Sequence, residues 1–420
     1  MFENKKILIG VSGGIAAYKT AYLVSRLHKA GAEVHVIMTE NATEFISPLV
    51  FETLSGQRCV VDTFDRNRQF EVEHVSLAKM ADLFMIAPAT ADVIAKTANG
   101  IADDMLTTTF LASTCHKMVV PAMNTQMYLN PITQDNLKKL KGYGIEVIDP
   151  ADGLLACGDV GVGKMPEPED LYRYIEREAA RPHDLQGRRV LVTAGATQES
   201  MDPVRYITNH STGRMGFALA RECMLRGADV TIVKAAATAE APEFCEIIDV
   251  KSAEEMYQAV VSRSVGMDVI LMAAAVADYT PASVSDQKIK KKDDDLSIPL
   301  KRTKDILQHL GETKRENQFL LGFSMETQNL VENSTKKLHK KHADMIAANN
   351  LKDTGAGFGT ATNLVTLITE EGAEELPLMS KEEVAHAIID RIHNCVQTRE
   401  HYEELRNIRP CFRQNRVIVF

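Results

Sequence analysis

Two kinds of residue in the first half of the chain suit a phosphorylated ligand. The stretch Gly10-Val11-Ser12-Gly13-Gly14-Ile15-Ala16-Ala17-Tyr18-Lys19 turns from an apolar run into a helical one without the GxGxxG spacing of a dinucleotide fold. Amides left free at such a helix start hold one phosphate, and a tight structural turn uses the same residues. Thr39 ends the next apolar run and Pro88-Ala89-Thr90 ends a later one, at the edge where open α/β sheets receive ligands. A mononucleotide suits this layout better than a dinucleotide. Three polar residues are placed to act on a bound molecule: His74 at the start of EHVSLAKM, Asn124 in PAMNTQM, and Cys157 in LLACGDVGVGKM. Each also has an ordinary structural use. A helix-start histidine pairs with solvent or a carboxylate, an asparagine caps the following turn, and a lone cysteine is usually buried. The glycine-rich setting of Cys157 reads as a mobile flap, where an exposed thiol is more reactive than a core one.

The second half has its own polar concentration. DPVRYITNHSTGRMG, 202–216, offers Arg205, Asn209 and a glycine-ended run of amides and hydroxyls to a phosphate or carboxylate. The apolar run ending in AAAVADYTP leaves Asp278 at a strand's edge, where it contacts a ligand or only opens the turn before Pro281. Lysines cluster at 288–292, beside Asp293 to Asp295, and again at 336–341. The first cluster is a solvated loop or a flexible arm that closes over a polyphosphate. In the second, helical spacing puts Lys337 and Lys341 on one face, where two ammonium groups repel unless an anion lies between them.

The elements that must hold these residues are legible in outline. Segments from Lys5 and from Gly187 each read strand, glycine-containing loop, amphipathic helix, glycine stop, strand. In the first, Ala17, Ala21, Val24 and Leu27 recur at helical spacing and Gly31 ends the helix. This is the βαβ unit, which implies a parallel sheet. Further strands are expected at 83–89, 117–123, 145–150, 268–276, 319–324 and 363–369. Two doubly wound, Rossmann-like three-layer α/β domains follow. The join falls in EREAARPHDLQGRR, where a charged helix end gives way to Arg181-Pro182, so the expected domains are 1–182 and 183–420.

Composition excludes several classes. The 420 residues are 45% hydrophobic and 25% charged, as in folded soluble proteins rather than disordered or fibrous ones. Net charge is −9, with 18 basic and 23 acidic residues up to residue 182 and 30 and 34 after it, so neither half is built to neutralise a nucleic acid. The longest apolar run, Val269 to Ala277, is far short of a membrane span, and no membrane partner is expected. Seven scattered cysteines form no CxxC pair, against a disulfide framework or structural zinc site. The opening MFENKKILIGVSGG lacks the pattern of a signal peptide, and a reducing cytoplasm is the expected location.

Taken together, SGGIAAYK, PATAD, GIADDMLTT, His74, PAMNTQM and ACGDVGVGKM resemble, in order and spacing, the flavin-dependent cysteine decarboxylases, and residues 5–175 resemble phosphopantothenoylcysteine decarboxylase. The resemblance implies FMN, contacted by Ser12, Gly13, Gly14, Ile15, Thr39, Pro88, Ala89, Thr90, Met105, Leu106 and Thr107. It implies chemistry in which the flavin oxidises the substrate thiol to a thioaldehyde, creating the electron sink that lets carbon dioxide leave, and then returns the electrons. By the same resemblance His74 assists oxidation and decarboxylation, Asn124 orients the substrate carboxylate, and Cys157 donates the last proton.

From about 188 to 392, GATQESMDPVRYITNHSTGRMG, AAAVADYTP, QKIKK, KDIL, GFSMET and KKLHKK resemble phosphopantothenate–cysteine ligase, so the whole chain is similar to the fused bacterial enzymes of coenzyme A biosynthesis. The resemblance implies that CTP and magnesium activate 4′-phosphopantothenate as an acyl-cytidylate, which cysteine attacks. It assigns CTP to Ala273, Ala274, Asp278, Lys288, Lys304, Asp305, Ile306, Leu307, Phe323, Lys337 and Lys341. Asn209 would stabilise the acyl-cytidylate, Arg205 would support the second step, and Lys288 would neutralise charge in the first. No residue is assigned as a metal ligand. A homo-oligomer is implied, with decarboxylase trimers linked by ligase dimers. Departures are Ala196 and Lys304, where the family usually has proline. The tail from about Asn394, including NIRPCFRQNRVIVF, lies outside the resemblance, and its last residues are read as an edge strand or a contact with a neighbour. Two other readings are another flavin-dependent cysteine decarboxylase, which leaves the second half unexplained, and a non-catalytic flavoprotein subunit, which would not be expected to keep both His74 and Cys157.

Overall fold

The computed structural model describes residues 2–64, 72–156, 158–290, 296–326, 328–350 and 362–408. The chain divides into two compact units, Met1–Pro182 and His183–Phe420.

In the first unit six strands, β1 (Lys6–Val11), β2 (Glu33–Met38), β3 (Cys59–Val60), β4 (Leu83–Ala89), β5 (His116–Pro121) and β6 (Glu146–Val147), form one parallel sheet in the order 3-2-1-4-5-6. The helices are α1 (Ala17–Lys29), α2 (Glu40–Thr43), α3 (Pro48–Ser55), α4 (Glu73–Met80), α5 (Ala91–Ala98), α6 (Met105–Ala112), α7 (Thr125–Leu129), α8 (Pro131–Gly142) and α9 (Pro168–Ala179). A separate antiparallel hairpin joins β7 (Ala151–Leu154) to β8 (Val160–Lys164).

Strand alternation explains the layers. Ile7, Ile9 and Val11 of β1 pack with Leu23, Val24 and Leu27 of α1 and Ile175 of α9 on one face. Leu8, between them, packs with Phe84, Ile94, Leu106 and Leu140 on the other. A strand covered on both faces must be apolar throughout, and every residue of β4, LFMIAPA, is buried. Phe84 meets Phe110 of α6 edge-on at 5.3 Å, and truncating it to alanine removes about 3–5 kcal/mol of stability.

The second unit repeats the plan. Its strands are β9 (Arg189–Ala194), β10 (Gln198–Ser200), β11 (Tyr206–Thr208), β12 (Asp229–Lys234), β13 (Glu246–Asp249), β14 (Val269–Met272), β15 (Tyr279–Pro281), β16 (Leu300–Arg302), β17 (Phe319–Glu326), β18 (Met345–Asn350), β19 (Thr362–Asn363), β20 (Val365–Thr369), β21 (Gly372–Glu375) and β22 (Met379–Ser380). Its helices are α10 (Arg214–Leu225), α11 (Ala253–Ser264), α12 (Ile306–Thr313), α13 (Leu330–Lys340) and α14 (Lys381–Ile408). The main sheet runs β13-β12-β9-β14-β17-β18-β20-β21, parallel through β18 and antiparallel in its last two strands. Val190 and Val192 face α10 and α14, while Leu191 faces α11 and α12.

Several elements differ from the sequence expectation. The strands expected at 145–150 and 268–276 shrink to β6 and β14, because the residues after each leave the sheet as site loops. The flap around Cys157 is a hairpin at its base, and Cys157 itself lies outside the described residues. From Asn394 the chain continues α14 as far as Ile408, and Arg399 there pairs with Asp344 at 2.8 Å; the last residues, where an edge strand is expected, lie outside the described residues. Residues 409–420 lie outside the described residues.

Candidate functional site

In the first unit Ser12 to Ile15, Thr39, Pro88 to Thr90 and Asn124 lie at the C-terminal ends of β1, β2, β4 and β5. Ser12 is fully buried, and its hydroxyl donates to the Pro88 carbonyl at 2.7 Å while accepting the Thr90 N–H at 2.9 Å. The hydroxyl is therefore committed to joining two strand ends. The N–H groups of Gly13, Gly14 and Ile15 find no acceptor among the described residues, so this loop presents free donors at the start of α1. Thr39 caps α2, accepting from Ala42 at 3.3 Å, and Thr90 caps α5, accepting from Val93 at 3.4 Å.

Met105, Leu106 and Thr107 open α6 but are all buried, and both the N–H and the hydroxyl of Thr107 bond Asp104 in a capping box. Their side chains are packed into the unit beside the end of β4. Asn124 caps α7 through its Oδ1, accepting from Gln126 at 2.8 Å, and its Nδ2 donates to Asp159 at 3.2 Å. The capping use of this residue is thus realised, and its amide also meets the hairpin. Gly163 makes that approach possible. With φ +133° its position for a Cβ lies 2.3 Å from the Met123 carbonyl oxygen, and the Met123 N–H donates to the Gly163 carbonyl at 3.0 Å. His74 sits half-buried in the first turn of α4, which packs on α6.

In the second unit a cavity of about 1190 Å³ opens at the corresponding strand ends. Asn209, Ala273, Ala274, Asp278, Lys304, Asp305, Ile306, Leu307, Phe323, Lys337 and Lys341 all line it. The loop before α10 reaches it because Gly216 lets the helix lie against β9: a Cβ there would stand 2.8 Å from the Thr193 carbonyl oxygen. Asn209 donates from Nδ2 to the Ala275 carbonyl at 3.3 Å, and the Ala274 N–H donates to the Thr193 hydroxyl at 3.0 Å.

The lysines are not used as their spacing alone suggests. Lys337 donates to the Phe323 carbonyl at 2.8 Å, and burial pushes its pKa below the usual lysine value, with Glu326 opposing. Lys341 instead pairs with Asp305, which also caps α12. Burial alone would raise the Asp305 pKa, but Lys341 and the Gln308 N–H outweigh it and hold the carboxyl below its ordinary range. Lys304 turns to Glu254 at 2.7 Å and lies over the Tyr257 ring.

Arg205 and Lys288 do not line the cavity. Arg205 is bound to Asp202 and to the backbone of Ile289, and Lys288 is exposed beside that contact. Sequence reasoning passed over three residues that do line it: Asn349, Asn363 and Lys381, all buried. The Oδ1 atoms of both asparagines have no partner among the described residues. For Asn349 the available signal was its place at the polar end of IAANN; Asn363 and Lys381 lie outside that run.

For metals, Asp278 is exposed in the cavity with no ion-pair partner among the described residues, so one carboxylate is offered rather than a cage. Elsewhere His116, Glu146 and Glu178 bring ligand atoms within 4.8 Å of one another, but the Arg177 guanidinium already bonds both carboxylates. That group is an ion-pair network.

The chain matches two family models, Flavoprotein over residues 1–180 and the DNA/pantothenate metabolism flavoprotein C-terminal domain over 185–396. It is 46% identical to the coenzyme A biosynthesis bifunctional protein CoaBC of Bacillus subtilis over 396 residues, covering 93% of this chain and 97% of that protein. The chain belongs to the CoaBC family. The CoaBC of Vibrio vulnificus is 44% identical over 391 residues, again 93% of this chain and 97% of that one. Among solved structures, the C-terminal domain of a CoaBC is 40% identical, covers 51% of this chain and 99% of that one, and has a TM-score of 0.45. The two CoaBC family models meet between residues 180 and 185, beside the division between the two compact units. Among the described residues no helix is long and apolar enough to cross a membrane.

Proposed function

We propose that the second unit joins cysteine to 4′-phosphopantothenate using CTP and that the first decarboxylates the product to 4′-phosphopantetheine. The observation that carries this reading is the gathering of Asn209, Asp278, Lys337 and Lys341 in one cavity at the strand ends of a CoaBC-family chain.

In the ligase step a carboxylate oxygen of 4′-phosphopantothenate attacks the α-phosphorus of CTP and pyrophosphate leaves. The cysteine amine then attacks the acyl carbon and CMP leaves. Lys337 and Lys341 place positive charge at the cavity wall, the Asn209 amide bonds the acyl-cytidylate, and the strand-end loop 273–274 lies along the nucleotide. Lys304 to Leu307 and Phe323 complete the CTP wall, and Lys288 and Arg205 act from the cavity's border. Magnesium fits as the counter-ion carried by the triphosphate, with Asp278 as the carboxylate nearest to hand. The buried Asn349 and Asn363 oxygens suit a donor group on a ligand.

In the decarboxylase unit the free amides of Gly13, Gly14 and Ile15 fit the phosphate of FMN, with Thr39, Ala89 and Thr90 at neighbouring strand ends and Met105 to Thr107 beneath. FMN, when bound, supplies a reversible two-electron oxidant for the substrate thiol. His74 assists the oxidation and decarboxylation step, Asn124 orients the departing carboxylate, and Cys157 supplies the final proton. Exposed Ile15, Tyr18 and Tyr22 beside the phosphate loop support burial against another copy, in keeping with trimers of this unit linked by dimers of the other. A cytoplasmic location accords with these soluble substrates.

One assay tests the whole reading. Protein given 4′-phosphopantothenate, cysteine and CTP should release pyrophosphate and carbon dioxide in equal amounts, and should carry a flavin absorbance band. A colourless protein that stays colourless with added FMN, or one that releases neither product, overturns it.

A further inference from the structure

We propose that Asp202 is a positioning residue for the ligase reaction: its buried carboxylate fastens Arg205 and the arm bearing Lys288 into one unit at the border of the cavity. The inference rests on the ligase function proposed above.

The Asp202 side chain is fully buried, and its two oxygens accept five hydrogen bonds. Oδ1 takes the N–H groups of Val204 and Arg205, each at 2.8 Å. Oδ2 takes Arg205 Nε at 3.0 Å, Arg205 Nη2 at 2.6 Å, and the N–H of Ile289 at 3.1 Å. The bonds to Val204 and Arg205 close a local turn, which an uncharged asparagine would close as well. The last bond reaches 87 residues along the chain and serves no turn. Arg205 Nη2 then donates to the Ile289 carbonyl at 2.8 Å, so both polar groups of Ile289 are held by one ion pair.

A second fastening lies just upstream, where the Ser285 N–H donates to the Met201 carbonyl at 3.0 Å. Ser285 also accepts the Gln287 N–H through its hydroxyl at 3.3 Å, rounding the intervening turn. Residues 285–289 are thus stapled at both ends to the 201–205 turn, and Lys288 lies between the staples. An exposed lysine on an unfastened polar loop would sample many positions, whereas this one has its backbone fixed. A charged carboxylate buried at this site is costly unless its partners need the charge, and Arg205 does. Arg205 therefore acts through the arm, which accounts for its absence from the cavity wall.

The test uses the full-length protein and follows pyrophosphate release from CTP and 4′-phosphopantothenate with saturating cysteine, which discharges the acyl-cytidylate so that the enzyme turns over. For Asp202→Asn the turnover should fall about tenfold while KM for CTP stays within about threefold, and trypsin should cut after Lys288 and Lys290 faster than in wild type. The double variant Asp202→Asn, Lys288→Gln should be no slower than Lys288→Gln alone, because a misplaced lysine and a missing one are the same loss. Arg205→Gln, on a partly exposed side chain, should reproduce the turnover defect if Asp202→Asn does not fold. Wild-type turnover in a folded Asp202 variant, or multiplicative losses in the double variant, overturns the inference. Failure of wild-type protein to release pyrophosphate overturns the ligase reading itself.

Discussion

Ser12 and Thr90, 78 residues apart, share one hydroxyl: Ser12 Oγ accepts the Thr90 N–H at 2.9 Å and donates to the Pro88 carbonyl two residues earlier. This bridge sets the spacing between the loop that opens α1 and the end of β4. Ser12→Ala leaves the partly buried Thr90 N–H unpaired, while the Pro88 carbonyl keeps the Ser12 N–H at 3.2 Å, at a cost of about 1 kcal/mol or more. The expected result is a lower melting temperature and less flavin per chain after purification, read by calorimetry and absorbance. Wild-type flavin content would show that the bridge does not shape the site.

The Gly163→Ala variant should block the approach of the hairpin to Asn124, since the new methyl would meet the Met123 carbonyl oxygen at 2.3 Å and φ is +133°. Decarboxylation should fall at least about tenfold while pyrophosphate release is unchanged. Equal loss of both activities would point to general unfolding instead.

The first unit should lose stability as pH rises from neutral. The Glu146 bond raises the pKa of His116 above its ordinary 6.5, with Glu178 adding to the rise and burial and Arg177 opposing it. A raised folded value means the contribution is whole below 6.5 and vanishes as pH passes through the folded value. Melting temperature should therefore decline as pH rises above 6.5 in wild type, and decline less in His116→Gln. Parallel curves for the two proteins would refute the assignment.

Lys337→Met should raise KM for CTP about tenfold, a difference of about 1.4 kcal/mol, because it removes the half-buried ammonium held at the Phe323 carbonyl. Lys336→Met, four residues from its exposed partner Glu332, should change KM by less than about twofold. Equal effects would mean that general charge, and not the position of Lys337, attracts the nucleotide.

What could be read in the sequence follows from burial. Strands covered on both faces must be apolar, so β4, β5 and β17 stand out as runs, and the Gly31 stop after α1 has the left-handed φ of +93° that its position demands. β18 was missed because MIAANN carries only two bulky apolar residues before small and polar ones. The β7–β8 and β10–β11 hairpins were missed because glycines and polar residues dominate them. Placement at a strand end was legible for Thr90 and Ala274. The use of a side chain was not legible where the deciding partner is distant: Lys341 meets Asp305 across 36 positions, and Arg205 meets Ile289 across 84. Asn124 shows a further limit, since a helix cap and a ligand contact require the same amide.

The composition of each core also orders events on the ribosome. The first unit has all its core residues by Ala180, so it can close while the remainder is still being made. In the second, Val384, Ile388 and Ile392 of α14 pack against Leu219 of α10 and Val192 of β9, so strands emerging early must wait for the final helix. Nascent chains stalled before α14 should therefore present a protease-resistant first unit followed by a segment open to chaperones.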